Sequence, residues 1–257
     1  MVKTLFIYAG VDRKELEKKI AQGISPDTSF FGFKAVAKNP LIEAEYLQLG
    51  KSTYGWGGNF FRRFALTRSL YVLVKFYQKL SSYDVLVITS SAYFFILFFK
   101  KIGLLRCQRL VLLNLDLSVR LNKLNHALWQ RKFLISVLRE ANGIVCISEA
   151  QTNDLLALGL DQTKITFIPM GVDKSFYRPV DSSGETVLTI GRDVGRDIKN
   201  FLEAIKLSSE KAVMICSPHN IQGLEALIPE NLTILFDQPY EVLKSYYAKA
   251  KAFVIAT

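Results

Sequence analysis

The chain is poor in the residues that build metal centres and covalent frameworks. Of its 257 residues, three are cysteines and two are histidines. Cys107, Cys146 and Cys216 are odd in number and show no CxxC spacing. That argues against a disulfide framework or a zinc site and fits a reducing compartment. His126 and His219 are too few for a His-rich metal centre. Long apolar runs are missing too. The longest uncharged run, 85–99, has fifteen residues and is broken by Thr-Ser-Ser; a spanning helix needs about 20. "LFIYAGV" at 5–11 is short and leads into "DRKELEKK", so it reads as a buried strand followed by a helix, not as a signal peptide. Neither a Walker A loop nor a GxGxxG fingerprint is present.

What the chain has is apolar content and alternation. Half of it is hydrophobic and 12% aromatic, which excludes a disordered chain. Strand-like runs ("TLFIYA", "VLVIT", "RLVLLNL", "GIVCIS", "ITFIPM", "TVLTIG", "AVMICS", "LTILF", "AFVIA") alternate with amphipathic segments such as "KELEKKIAQ", "IKNFLEAIKLS" and "YEVLKSYYAKA". Continuous apolar strands alternating with helices predict parallel sheets covered on both faces. The stretch 171–185, "GVDKSFYRPVDSSGE", has turn composition, and the alternation restarts at Thr186. The expected organisation is α/β: an N-terminal Rossmann-like domain over 1–170, a linker over 171–185, and a second domain over 186–257. The second has about four strands, and the sequence stops on "AFVIAT". It therefore reads as incomplete, a piece of a longer protein, with a compact single domain as the alternative.

The stretch "VLTIGRDVGRDIKNFLEAI", 187–205, is the strongest candidate for chemistry. A strand ends at Gly191, a helix begins near Ile198, and Arg192 and Arg196 stand between. In an open parallel sheet, ligands sit beyond the carboxyl ends of the strands. A helix N-terminus there offers free N–H groups to an anion, and guanidinium forks match phosphate oxygens. Lys199 could supply a third cation. On the residues alone, an equal alternative is a solvated loop in which Arg192 and Arg196 pair with Asp193 and Asp197. Gly10, after the first strand, allows close backbone approach or simply makes a turn.

Together, "IVCISEAQTNDLLALGLDQTKITFIPMGVDKSFYRP" and "VLTIGRD" resemble the retaining family 4 glycosyltransferases of GT-B fold. Ser148, Pro169, Gly171, Val172, Asp173, Phe176, Pro179, Gly191 and Arg192 carry the match, and Met170 stands where that family has Asn. The resemblance is specific from about 140 to 257 and diffuse before. It implies two Rossmann-like domains with parallel sheets and a nucleotide-diphosphate sugar as co-substrate, with no cofactor and no metal. The donor diphosphate would lie against Gly191, Arg192 and Arg196, with Lys199 as the fallback cation. The base would lie near Ser217, Pro218, Asp237 and Tyr240, the acceptor near Gly10, and Gly171 and Asp173 between the domains. The family's Glu-x7-Glu motif lies beyond the present end, so the resemblance implies a chain truncated before it and inactive alone. Where many members have a histidine, this chain reads Asn114-Leu115-Asp116. Asp116 could orient a sugar, or act only as a helix cap or turn residue.

Charge is uneven. Residues 1–170 hold 23 Lys+Arg and 12 Asp+Glu, and residues 171–257 hold 10 and 11. The 46–115 region has ten basic residues and one acid, Asp84. Nucleic acid is disfavoured as a partner, because no nucleic-acid motif accompanies the charge. An anionic membrane surface is favoured: aromatics beside paired lysines in "SAYFFILFFKKIGLL" suit an interface. The plain alternative is a buried helix with solvated lysines. The expected partners are thus a nucleotide-sugar donor, a glycan or lipid-linked acceptor and an anionic membrane, for a cytoplasmic chain peripheral on the inner face. Rival readings are a nucleotide-sugar epimerase of the same fold and a non-catalytic membrane-surface binding protein.

Overall fold

The computed structural model describes residues 1–9, 11–49, 66–89, 95–115, 117, 128–178, 180, 184–193 and 195–256. They form two units: 1–17 with 27–172, and 18–26 with 173–257.

The first unit is built on six parallel strands: β1 (Val2–Ala9), β2 (Ile42–Leu49), β3 (Val85–Ile88), β4 (Arg109–Asn114), β5 (Gly143–Cys146) and β6 (Ile165–Phe167). Their order is β2-β1-β3-β4-β5-β6. Side chains alternate across a strand, so β1 divides its residues between two cores. Leu5 and Ile7 join Leu86, Ile88, Leu110, Leu112, Ile144 and Cys146 in one cluster. Against that face lie α3 (Leu66–Ser81), α4 (Phe95–Lys101), α5 (Leu128–Leu138) and α6 (Glu149–Ala157). Right-handed crossovers that step in one direction put successive helices on one face. Phe6 and Tyr8 point the other way. They meet Phe30, Phe33 and Tyr46 in a set of edge-on ring contacts. That face also holds the start of α1 (Arg13–Ala21) and α2 (Phe33–Val36), and the buried Arg13 guanidinium sits 4.5 Å over the Tyr8 ring.

The sequence reading passed over β2. "IEAEY" alternates polar and apolar residues instead of forming a continuous apolar run; Tyr46 joins the aromatic cluster, and Leu47 and Leu49 join the core on the other face. Within 91–105, weighed for a membrane interface, residues 91–94 lie outside the described residues, and Phe95–Lys101 form α4, whose Ile96, Leu97 and Phe99 are core residues. Its lysines reach their own chain: Lys100 Nζ bonds Asn142 Oδ1, and Lys101 pairs with Glu140 at 3.3 Å.

The second unit is a four-stranded parallel sheet of order β10-β7-β8-β9, from β7 (Thr186–Ile190), β8 (Ala212–Cys216), β9 (Leu232–Phe236) and β10 (Ala250–Phe253). Every residue of central β8 is buried. α7 (Ile198–Leu207) buries Phe201, Leu202 and Ile205, the i, i+1, i+4 face. Its N-cap is Asp197, whose side chain accepts from Asn200 N. α8 (Tyr240–Lys249) runs directly into β10, so that strand begins two residues before "AFVIA". Val254 N still donates to Leu188 O at 2.9 Å beyond its end.

Candidate functional site

The carboxyl ends of β7, β8 and β9 lie side by side, and each carries a polar residue into the same place. Arg192 follows β7, Ser217 follows β8 and Asp237 follows β9. Arg192 Nε lies 3.4 Å from Asp237 Oδ1, and Ser217 Oγ donates to the same oxygen at 2.6 Å. Asp237 has φ 49, a left-handed backbone that Asp tolerates better than most residues. Its own N–H donates to Cys216 O at 3.0 Å, which fixes the turn.

Arg196 is the more enclosed arginine, with its side chain 14% exposed. Nε donates to both Asp193 oxygens, at 3.1 and 3.0 Å, while a buried Nη1 has no partner. The guanidinium lies across Gly191, where any β-carbon would overlap it. Burial alone would raise the Asp193 carboxyl. The Arg196 hydrogen bond, the backbone and the Arg196 charge outweigh that and hold it below its usual range.

The two readings of this loop are therefore interleaved. Arg196 does pair with Asp193. Asp197 instead caps α7, and Arg192 reaches across the sheet edge to Asp237, a partner the local sequence could not reveal. Lys199 points along α7 toward Glu203, at 3.9 Å. Beside Ser217, Pro218 opens a short 3-10 turn in which Asn220 Oδ1 accepts from Ser217 N. Tyr240 starts α8 and is exposed. Asp173 is a turn residue: its carboxylate accepts from Ser175 N, Ser175 Oγ and Phe176 N, and Phe176 is buried. A β-carbon at Gly171 would meet nothing. Gly10 and Asp116 lie outside the described residues. Asn114, two residues earlier, is buried, with Nδ2 3.6 Å from Cys146 Sγ and Oδ1 accepting from Leu117 N.

A cavity of ≈ 330 Å³ is lined by residues 81–84 and 106–108 at the amino ends of β3 and β4. That is the wrong edge of a parallel sheet for a ligand. Among the described residues, no group of three His, Cys, Asp or Glu is placed to hold a metal ion, and no helix is long and apolar enough to cross a membrane.

Two parallel α/β units with a cationic loop at the carboxyl edge of the second define a GT-B architecture, and solved structures agree. Sucrose-phosphate synthase from Thermosynechococcus elongatus is similar at TM-score 0.67 and 13% identity, over 99% of this chain and 75% of that one. HepE from Anabaena, solved with UDP and glucose, matches at 0.60 and 12%, over 98% and 73%. UDP-GlcNAc 2-epimerase from Neisseria meningitidis, bound to UDP-GlcNAc, matches at 0.53 and 12%, over 98% and 76%. No curated protein sequence matches. Residues 34–176, just over half of the chain, match the profile of Glycosyltransferase Family 4, and the chain belongs to that family. The matched residues lie mostly in the part where the sequence resemblance was diffuse, and they end where "GVDKSF" carries it.

Proposed function

We propose that this chain moves a sugar from a nucleotide-diphosphate sugar to a glycan or lipid-linked acceptor, with retention at the anomeric carbon. The carrying observation is the meeting of Arg192, Ser217 and Asp237 at three adjacent strand ends, with Arg196 held by Asp193 on the loop that leads from β7 to α7. In this reading the diphosphate competes with Asp237 and Asp193 for the two arginines. The bond from the anomeric carbon to the diphosphate breaks, the bond to the acceptor hydroxyl forms, and the hydroxyl proton leaves with the diphosphate. Arg192 and Arg196 stabilise the charge that develops on the leaving group, as preorganised cations do, and no metal takes part. The base lies near Ser217, Pro218, Asp237 and Tyr240. Retention rests on the family resemblance. A lipid-linked acceptor would place the enzyme on the inner, anionic face of a membrane.

An epimerase reading would need a free carboxylate or histidine for proton transfer. Histidines are scarce in this chain, with only His126 and His219, which counts against that reading. The test is calorimetric binding of UDP, GDP and their common sugar conjugates to the protein and to an Arg192→Ala/Arg196→Ala variant. Preference for one nucleotide, lost about tenfold (1.4 kcal/mol) or more in the variant, supports the proposal. Unchanged binding in the variant rejects the arginine loop, and isomerised sugar without transfer would favour the epimerase.

A further inference from the structure

The outer surface of the first unit's helical layer carries apolar side chains that its core does not use. On α3, Val72, Leu73 and Leu80 face the sheet. Before a break in α3 at Phe76 (φ -120, ψ 16), Tyr71 and Val74 are exposed at i and i+3, Val74 at 74%, and Tyr77, just after the break, is exposed too. On α5, Leu128 and Trp129 are exposed, Trp129 at 70%, while Val137 and Leu138 are buried. α4 lies between the two helices, and its Phe98 ring meets Phe133 of α5 at 5.6 Å. Single exposed apolar residues need no explanation, but exposed apolar groups on two helices of one layer do.

Cations accompany these groups. Lys75 is exposed and lies 5.3 Å over the Tyr71 ring, and Lys132 is exposed one turn after Trp129. The three helices hold seven Lys and Arg and no Asp or Glu, of which Lys79, Lys100 and Lys101 reach Glu45, Asn142 and Glu140 of their own chain. Apolar and aromatic side chains ringed by cations match an anionic bilayer: the rings settle at headgroup depth and the cations meet lipid phosphate. A second copy is the poorer occupant, because a self-complementary interface would set this surplus of like charge against itself.

We infer that the outer face of α3 and α5 is a membrane-docking surface that inserts Val74 and Trp129 into the headgroup region of an anionic phospholipid bilayer. The inference names the surface behind the membrane reading above, and it is independent of the donor assignment.

The test uses full-chain protein and vesicles of phosphatidylcholine with or without phosphatidylglycerol. Variants are Val74→Glu, Trp129→Glu and the pair Lys75→Glu/Lys132→Glu. All four residues are exposed, and retained thermal unfolding checks the fold. The expected result is binding to phosphatidylglycerol vesicles that weakens with salt and drops about tenfold or more in each variant. In a Trp56→Phe background, the Trp129 emission should shift to the blue on vesicle addition. Vesicle binding that all variants keep, or no blue shift, overturns the inference. So does light scattering that shows a dimer dispersed by Val74→Glu, or equal binding to duplex DNA. Nucleotide binding is measured on the same samples. Its absence would reject the donor proposal and leave this one standing, while vesicle failure with intact nucleotide binding does the reverse.

Discussion

The Arg196 guanidinium rests on Gly191, filling the space that a side chain at position 191 would occupy. Gly191 is not needed there for a left-handed backbone, since it is absent from the glycines with positive φ. Its role is to leave room. Gly191→Ala should therefore act through Arg196. We expect it to weaken nucleotide-diphosphate binding by about 1.5–3 kcal/mol, the value of a hydrogen bond to a charged group, with little change in fold. In an Arg196→Ala background the same change should cost almost nothing, because the clash is gone. Calorimetry on the four proteins of that double-mutant cycle decides the matter, and additive losses would show that the two residues act separately.

Asp193 holds Arg196 through both carboxylate oxygens. An incoming diphosphate must compete with it. Asp193 is largely exposed, so the pair is worth at most about 1 kcal/mol. Asp193→Asn should then raise diphosphate affinity by up to about fivefold at neutral pH. The carboxyl is held below its usual range, so the pair is present above the ordinary carboxylate pKa and is lost as pH falls through the lowered value. The advantage of the Asn variant should shrink in acid. A titration of affinity against pH for both proteins would show the two curves converge, and parallel curves would mean that Asp193 positions Arg196 and does not compete for it.

The fold was legible because its strands are short apolar runs between amphipathic helices. β8, buried at every position, and α7, with Phe201, Leu202 and Ile205 on one face, could be read directly. β2 escaped because "IEAEY" alternates instead of forming a continuous run. At the site, Gly191 and both arginines were visible as a local pattern. The pairing of Arg192 with Asp237 was not, because it spans 45 positions and depends on β8 bringing the ends of β7 and β9 to one edge. Sequence spacing reports what lies along one element, whereas strand order decides which loops meet.

Asn231, just before β9, ties the end of α7 to the sheet. Its Nδ2 donates to Ile205 O, Ser208 O and Glu210 O at 3.0, 3.0 and 2.9 Å. The last carbonyls of a helix have no partner within it, and here one side-chain amide serves that end and the turn behind it. Asn231→Ala should destabilise the second unit by about 1–3 kcal/mol, the cost of stranding polar groups in a part-buried place. Urea unfolding followed by circular dichroism would measure it. Asn231→Asp is the sharper control: it has the same shape but cannot donate, and it adds a charge beside three carbonyl oxygens. It should be at least as damaging as alanine. An aspartate variant as stable as the native chain would show that the amide hydrogen bonds contribute nothing.

Cys216 ends β8 beneath the site and is buried. Burial, then the nearby Asp237 charge, pushes its thiol up to about 11. An unfolded chain would lose that proton near the ordinary value of about 8.5. The folded state thus binds the proton more tightly, and the stability this gives is fully present below the ordinary thiol value. It is lost progressively as pH rises from there toward about 11. Other groups titrate in the same range, so the comparison must be with a chain lacking only this thiol. Cys216→Ala leaves a small cavity, and its melting temperature should lie below the native one at neutral pH. As pH rises through the window, the native chain should lose its advantage and the two melting temperatures should approach each other. Asp237→Asn should narrow the window only modestly, since burial is the larger cause. A gap between native and Cys216→Ala that stays constant from neutral to alkaline pH would mean that the thiol titrates alike in both states, and that the strand end beneath Arg192 and Asp237 is open to water.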